Sequence, residues 1–494
     1  MPSRRSMNLA RPPTPSCIVQ LRLDGTAVTD TATPHPPHSR HPHTFEDSGV
    51  LPFFIPSSGV WSLYPQRDAR GKYHGEYAQR PGRPPAPSLL AMLSNRHPTA
   101  PVAHRAQHKA TCNKIKKARA KLAQEDHGVR NATPDFMTPA NAFETDAGRF
   151  WGILSTRDYM RARYGLAEYL RLSGTLDGVQ EALSHMQDMI RLCRSDNMGL
   201  RDLVPALMLR LDLDQECYDF VKWWATCDPD GNYDWGDLTL PHLNLRGADA
   251  FEDPNFLGGK FAPLNHTVAI LLLKLKILVD VRNLKVTRKV LASHRLPLEL
   301  CEPVELSVVR SPLSTKLQRL SPESLSRTEE NLLDQIRELG AKLVEANKHF
   351  MFSLFEPDEP LCDEPEAYSM GSWEEMARAM QSSYAAFWET EGVLDLLNDA
   401  RACAGRDSEN EIDDMMDGET FKSRPGSRRT KEELLADVSV NRIWGYLDYA
   451  VENASYLGPW SERPSERHTR ENREAWANAI AEDEEDESWS SDED

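Results

Sequence analysis

One residue pair and one loop in this chain of 494 residues have the types and spacing that chemistry needs. His108 and Cys112 stand i, i+4 in the segment Val102-Ala-His-Arg-Ala-Gln-His-Lys-Ala-Thr-Cys112. On a helix, that spacing turns imidazole and thiolate to the same side, where both can reach one zinc ion at about 2.0 and 2.3 Å. A structural zinc site needs a full tetrahedral set of ligands. The cysteine upstream is Cys17, far away in sequence, so only His97 and His104 are near enough to help complete a set. The second candidate, Asp228-Pro-Asp-Gly-Asn-Tyr-Asp234, alternates oxygen side chains as a calcium loop does. Tyr233 stands where such a loop needs glycine, and Thr239 where it needs a bidentate glutamate. An Asx-rich turn is therefore expected instead. No GxSxG, Walker, HExxH or dinucleotide motif occurs, and nothing in the residues argues for catalysis.

Charge is unevenly distributed. Residues 1–131 hold 19 Lys and Arg against 8 Asp and Glu, while the remainder holds 39 against 68. A body this acidic repels phosphate backbones, which argues against nucleic acid as its partner. Any basic contact would come from the N-terminal third. The longest apolar runs, such as Val268–Leu273, are cut short by Lys274 and Lys276, so no membrane span is expected. Met1–Ala10 lacks the apolar stretch of a secretory signal, and the 8 cysteines contain no CxxC pair. Both features predict a reduced cytoplasmic or nuclear protein.

The elements that would position any site are helical. Half of the 34 prolines fall in residues 1–101 and 8 of the 15 histidines in residues 1–108, so residues 1–98 are expected to be a disordered Pro/His-rich region. Asn113–Glu125 reads as a basic helix with Ile115, Ala118 and Leu122 on one face, and Lys114, Lys116, Lys117, Arg119 and Lys121 solvated around the rest. Met160, Tyr164, Ala167 and Leu170 mark a helix stopped at Gly174, and Val179, Leu183, Met186, Ile190 and Cys193 mark its return. A third helix over Leu200–Leu211 is expected to bend at Pro205, and a fourth carries Tyr218, Val221 and Ala225. Leu170-Arg-Leu172 and Leu209-Arg-Leu211 each close the first helix of a hairpin, 39 residues apart. These readings give an all-α fold of helical hairpin repeats, similar to the tetratricopeptide class, with Val268–Asp280 and Val286–Ala292 as a third hairpin. Capping boxes are read at Ser326–Glu329, Ser372–Glu375 and Thr430–Glu433. The last opens a helix through Leu434, Val438, Ile443 and Leu447. Glu482–Asp494 holds nine acids and no base, a tail that cannot collapse.

His108 through Leu122, followed by Pro134-Asp-Phe-Met-Thr-Pro139, resembles the join between finger and body in a fungal family of MYND-type zinc-finger proteins. Thr156-Arg-Asp-Tyr-Met-Arg-Ala-Arg163, Arg191-Leu-Cys-Arg-Ser-Asp-Asn-Met198 and Gln215-Glu-Cys-Tyr-Asp-Phe-Val-Lys-Trp-Trp224 are similar to that family's body, so the resemblance covers residues 103–400. It implies zinc as cofactor, with His108 and Cys112 as the metal ligands that survive. The Cys-rich knuckles that should precede them are replaced by Pro- and His-rich sequence. The finger therefore reads as truncated, and its zinc as lost or substoichiometric. Asn265-His-Thr267 is similar to the Asn-His-Ser of SET-domain methyltransferases, but the following Val268-Ala-Ile-Leu271 is an apolar helix start rather than their Cys-x-Pro-Asn.

The expected organisation is a disordered region at 1–98, a finger remnant with basic helix at 99–125, a helical-repeat domain at 143–300 and a helical extension at 301–403. A linker follows at 404–430, a helix at 431–457 and an acidic disordered tail at 458–494. Family fingers bind proline-containing peptides, and helical repeats present a groove to extended peptides. The function expected is a non-enzymatic protein–protein interaction scaffold whose partners dock through peptide motifs. The alternative is a degenerate relative of the SET-and-MYND protein-lysine methyltransferases. Arg157, Asp158, Arg161 and Arg163, with Arg194, Asp196 and Asp202, are read as surface ion pairs rather than a carboxylate-binding groove. Trp223 and Trp224 are read as core packing rather than a ligand cage.

Overall fold

The computed structural model describes residues 102–135, 138–258, 262–294, 296–363, 365, 367–417 and 429–454. The expectations for residues 1–98 and for the acidic tail lie outside the described residues. Among the described residues there is no strand, only isolated bridges between Cys193 and the pair Gly148 and Arg149. The fold is all-α. No helix among them is long and apolar enough to cross a membrane.

A proline-free run lets α1 form over Val102–Arg130, longer at both ends than its apolar stripe predicts. A short α2 (Ala142–Thr145) and two 3-10 turns lead into α3 (Arg157–Leu172) and α4 (Leu176–Leu192). Gly174, at φ 69°, and Thr175, whose hydroxyl accepts from the Gly178 amide at 3.1 Å, make the turn between α3 and α4. The two expected stripes pack against each other, and α1 lies along α3 through Ile115, Ala118 and Leu122. Arg119 departs from the solvated basic face expected of it. Its side chain is only 4% exposed and pairs with Glu181 of α4, because position 119 lies on the side of α1 that packs inward, while Lys116 and Lys117 stay exposed.

The bent third helix is not observed. A 3-10 turn at Leu200–Asp202 precedes α5 (Val204–Arg210), and Pro205 sits in the first turn, where its missing amide has no helical acceptor to lose. Then α6 (Asp214–Thr226) completes a second hairpin that packs on α4 through α5. The third hairpin is not formed either. Instead α7 runs unbroken from Leu264 to His294, since no glycine or proline interrupts it, and it is buried on nearly every side as far as Leu284. The hairpin series therefore stops at two, and the remaining helices gather around α7.

Those helices are α8 (Leu298–Ser307), α9 (Pro322–Ala346), α10 (Phe350–Phe355), α11 (Asp358–Cys362), α12 (Trp373–Glu389), α13 (Val393–Asp417), α14 (Lys431–Arg442) and α15 (Leu447–Asn453). The capping box at Ser326–Glu329 is not one. α9 begins earlier, with Ser321 as N-cap and Pro322 at the first position, and Glu329 instead pairs with Lys285 of α7. Ser372 does cap α12, accepting from the Glu375 amide at 3.2 Å, although the Glu375 carboxylate takes the Gly371 amide at 2.7 Å. At Thr430 the reciprocal box is complete. The segment read as a linker from 404 is helical through Asp417, because Ala404, Ser408 and Ile412 form a buried i, i+4 stripe against α14. The last helix breaks at a 3-10 turn, Ile443–Gly445, which lays the Trp444 indole on Gly340 of α9. A Cβ at Gly340 would come within 2.2 Å of that ring.

Buried charge is concentrated on α7. Lys274, fully buried, donates to the Ala250 and Glu252 carbonyls and to Gln335 Oε1 at 2.8, 2.9 and 2.6 Å. Burial lowers its pKa to about 8, so the ammonium is charged at neutral pH. Lys276 lies 2.9 Å from both Asp212 and Asp214; desolvation pulls its pKa down, but the two carboxylates outweigh it and the net shift is upward. Asp280 accepts the Arg310 and Ser311 amides, each at 2.8 Å, and the Ser311 hydroxyl closes the network on Asp214. Replacing Lys276 by Met strands Asp214 inside the body, and denaturant unfolding should show a loss of about 3–5 kcal/mol. The double change Lys276→Met, Asp214→Leu should recover part of it, since the uncompensated buried charge is gone.

Candidate protein-interaction surface

α1 places positions 108 and 112 one helical turn apart on the same side, as their spacing requires. The side chains of His104 and His108, like His97, lie outside the described residues. Cys112 is half-buried next to the α1–α3 contact, and burial raises its thiol pKa, which favours the neutral thiol over the metal-binding thiolate. Among the described residues no group of three or more His, Cys, Asp or Glu is arranged to hold a metal ion. The described residues thus do not make a tetrahedral zinc site around Cys112.

The other polar candidates bind their own scaffold. Asp228 Oδ1 accepts the Tyr233 amide at 2.9 Å and Asp234 Oδ1 the Gly236 amide at 2.8 Å, the Asx-type turn expected of that loop. Asn265 donates to the Asp202 carbonyl at 2.9 Å, and the buried His266 ring meets the Arg201 carbonyl at 3.0 Å through Nε2. This pair fastens the start of α7 to the turn before α5. Arg161 pairs with Asp158 at 2.8 Å, and Arg163 reaches Tyr159 and His185 as well as Asp188. Arg194 donates to the Leu240 carbonyl at 3.2 Å, while Asp196 accepts the Leu200 and Arg201 amides at 2.9 and 2.8 Å. The two groups of charges do not converge on one groove.

Trp223 and Trp224 close a ring cluster with Tyr233, Trp235 and His242. Trp224 stacks on Trp235 at 5.4 Å, and the Arg201 guanidinium lies 5.1 Å from its ring. The rings fill one another's faces and pin the loop after α6, which is packing rather than an open cage.

One outward-facing stretch is rich in apolar residues. Val290 near the end of α7, Leu296 in the turn that follows, and Leu300, Val304 and Leu306 of α8 are all exposed, Leu300 by 54% and Val304 by 38%. Cys301 and Glu305 form the inner side of α8, and Glu305 is held by Arg288 of α7 at 3.1 Å. Leu300 and Val304, one turn apart and exposed, form a ridge about 100° round the helix from that inner side. Glu299 and Glu302 are exposed too, Glu302 on the far side of α8 from this ridge, and neither enters an ion pair among the described residues. Sequence reasoning passed over this surface. The four-residue spacing of Leu296, Leu300 and Val304 is a readable helical signal, weakened by Pro297 and Pro303.

His242 supplies a test of the ring cluster. Desolvation, then the nearby Arg194 charge, push its pKa down to about 4. In the unfolded chain it titrates near 6.5. Its contribution is therefore present above about pH 6.5 and is lost as pH falls toward 4. Tryptophan fluorescence should report a transition across that window, and His242→Phe should remove it; an unchanged acid transition in the variant would mean that other groups open the loop.

Comparison with known protein families, curated proteins and solved structures finds no match for this chain.

Proposed function

We propose that this protein is a non-enzymatic protein–protein interaction scaffold of the MYND-associated type, with the helical body as its working part. The observation that carries the reading is the ridge of Leu300 and Val304, held outward at helical spacing on α8 while the inner side of the same helix is tied to α7. Contiguous exposed apolar side chains of this kind mark docking surfaces. The polar groups of the body support the same reading, since the arginines and aspartates around α3 and α5 are engaged in internal bonds. The finger remnant contributes at most a weak zinc site through His108 and Cys112.

Two measurements test this. Full-length chain and a Leu300→Asp, Val304→Asp variant should melt at the same temperature, because both side chains are exposed, yet proteins retained by the wild type from a native extract should be lost from the variant. Identical retention by both would sink the α8 reading. Zinc analysis of the purified chain should find well under one ion per molecule; a full equivalent that disappears in His108→Ala, Cys112→Ala would restore the finger as the binding part. S-adenosylmethionine should leave the melting temperature unchanged, and a clear upward shift would favour the methyltransferase alternative.

A further inference from the structure

We infer that residues 482–494, the acidic segment of this chain, dock on the lysine face of α1. This goes beyond the α8 reading and does not depend on it. α1 carries eight Lys and Arg against two acids within its 29 residues. Those two acids are engaged inside the helix, Glu125 on Lys121 at 2.6 Å and Asp126 on Arg130 at 2.7 Å. The inward side of α1 is fixed by Ile115, with Ala118 and Leu122 against the same core. At 100° per residue, Lys109, Lys116 and Lys117 fall within an arc of about 100° on the side away from Ile115. All three are exposed. Lys109 and Lys116 are two turns apart and nearly in line, with exposed Asn113 between them, a row about 10 Å long.

Charge and reach identify the occupant. Residues 482–494 hold nine acids and no base. Without them the chain after residue 131 still has more acids than bases, so the rest of the body repels this segment. Residues 1–101 are basic as well, but their 11 Lys and Arg are spread over 101 positions among 6 acids, a far lower charge density than that of α1. Residues 455–481 link the last described position to the segment, and these 27 residues span at most about 90 Å. A compact body of this length is on the order of 50 Å across, so the tether does not keep the segment from α1. Tethering also gives the segment a local concentration of roughly millimolar, an advantage over any free polyanion of equal charge. Docked there, it covers the basic face that an anionic partner would use, and α1 is closed to such a partner until the segment is displaced.

The experiment treats dilute full-length chain with a water-soluble carbodiimide, which joins a carboxylate to a lysine amine where the two touch, and reads the linked peptides by mass spectrometry. Residues 482–494 should link to Lys109, Lys116 and Lys117 at least about tenfold more than to the exposed Lys289 and Lys348 of the body. Raising sodium chloride from about 0.05 M to about 0.5 M should abolish these links. Lys109→Glu, Lys116→Glu should reduce linking at the retained Lys117 by about tenfold or more, with melting unchanged because both positions are exposed. Lys109→Arg, Lys116→Arg keeps the charge and should leave Lys117 linked as in the wild type.

Links spread evenly over α1, Lys289 and Lys348, links chiefly to Lys72, or no links from the segment would each overturn the proposal. Linking at Lys117 that survives the glutamate variant would do the same. In a mixture of heavy-nitrogen and ordinary chains, links that join one kind to the other would overturn it in favour of a second copy. A single-stranded oligonucleotide that binds while no segment links form, and is lost from Lys109→Glu, Lys116→Glu, would overturn it in favour of nucleic acid. The scaffold reading stands or falls separately, on the extract comparison with the α8 variant.

Discussion

The ammonium of Lys276 lies 2.9 Å from the carboxylates of both Asp212 and Asp214, at a point where Asp214 is fully buried. Moving such charges out of water is costly unless each finds partners. The body supplies them from three directions: α6 brings Asp214, the turn before it brings Asp212, and Ser311 bonds Asp214 while its amide bonds Asp280. An apolar central helix could slide or rotate among neighbours at little cost. With Lys274, Lys276 and Asp280 each demanding named acceptors or donors, α7 has one register in which all are satisfied.

The rest of the chain is arranged around that register. The two N-terminal hairpins reach α7 through α5 and α6, and Asn265 and His266 fasten its first turn to the residues before α5. On the far side Arg282 donates to the carbonyls of Val451 and Ala454, and Trp444 rests on the bare backbone of Gly340. The C-terminal helices are thus bound to the centre by Arg282, by Arg337 donating to the Trp444 carbonyl, by Ile443, Leu447 and Val451 in the core, and by one close approach that only glycine permits. α1 is held in a comparable way, by Ile115 in the core and by buried Arg119 pairing with half-buried Glu181.

This economy bears on function. The clusters of charge and aromatic rings that stand out along the chain are consumed in holding loops and helix ends: Asp196 on two amides, Asp228 on its own turn, Trp223 and Trp224 on the loop behind them. α8 is different. It is anchored through Glu305 and Arg288, and it turns its leucine and valine outward. The buried charge network and the outward apolar ridge thus lie on adjacent helices.

Residues close together along the chain specify the helical class, the stripes of α3 and α4, the caps at Ser372 and Thr430, and the interruption of the apolar run by lysines. Each of these depends on residues within a few positions of one another, so local periodicity and capping chemistry carry the information. Packing between distant segments was needed to establish that Val268–Asp280 and Val286–Ala292 are one helix, that α13 continues through the polar stretch after 404, and that Arg119, Lys274 and Lys276 are buried. Charged side chains read as solvent-facing until their partners are known, and Glu181, Gln335 and Asp214 are more than sixty residues away in each case. The outward ridge on α8 belongs to the same class. Its spacing is in the sequence, but whether Leu300 faces the core or the solvent depends on which side of α8 Arg288 holds, a contact made across the turn between two helices.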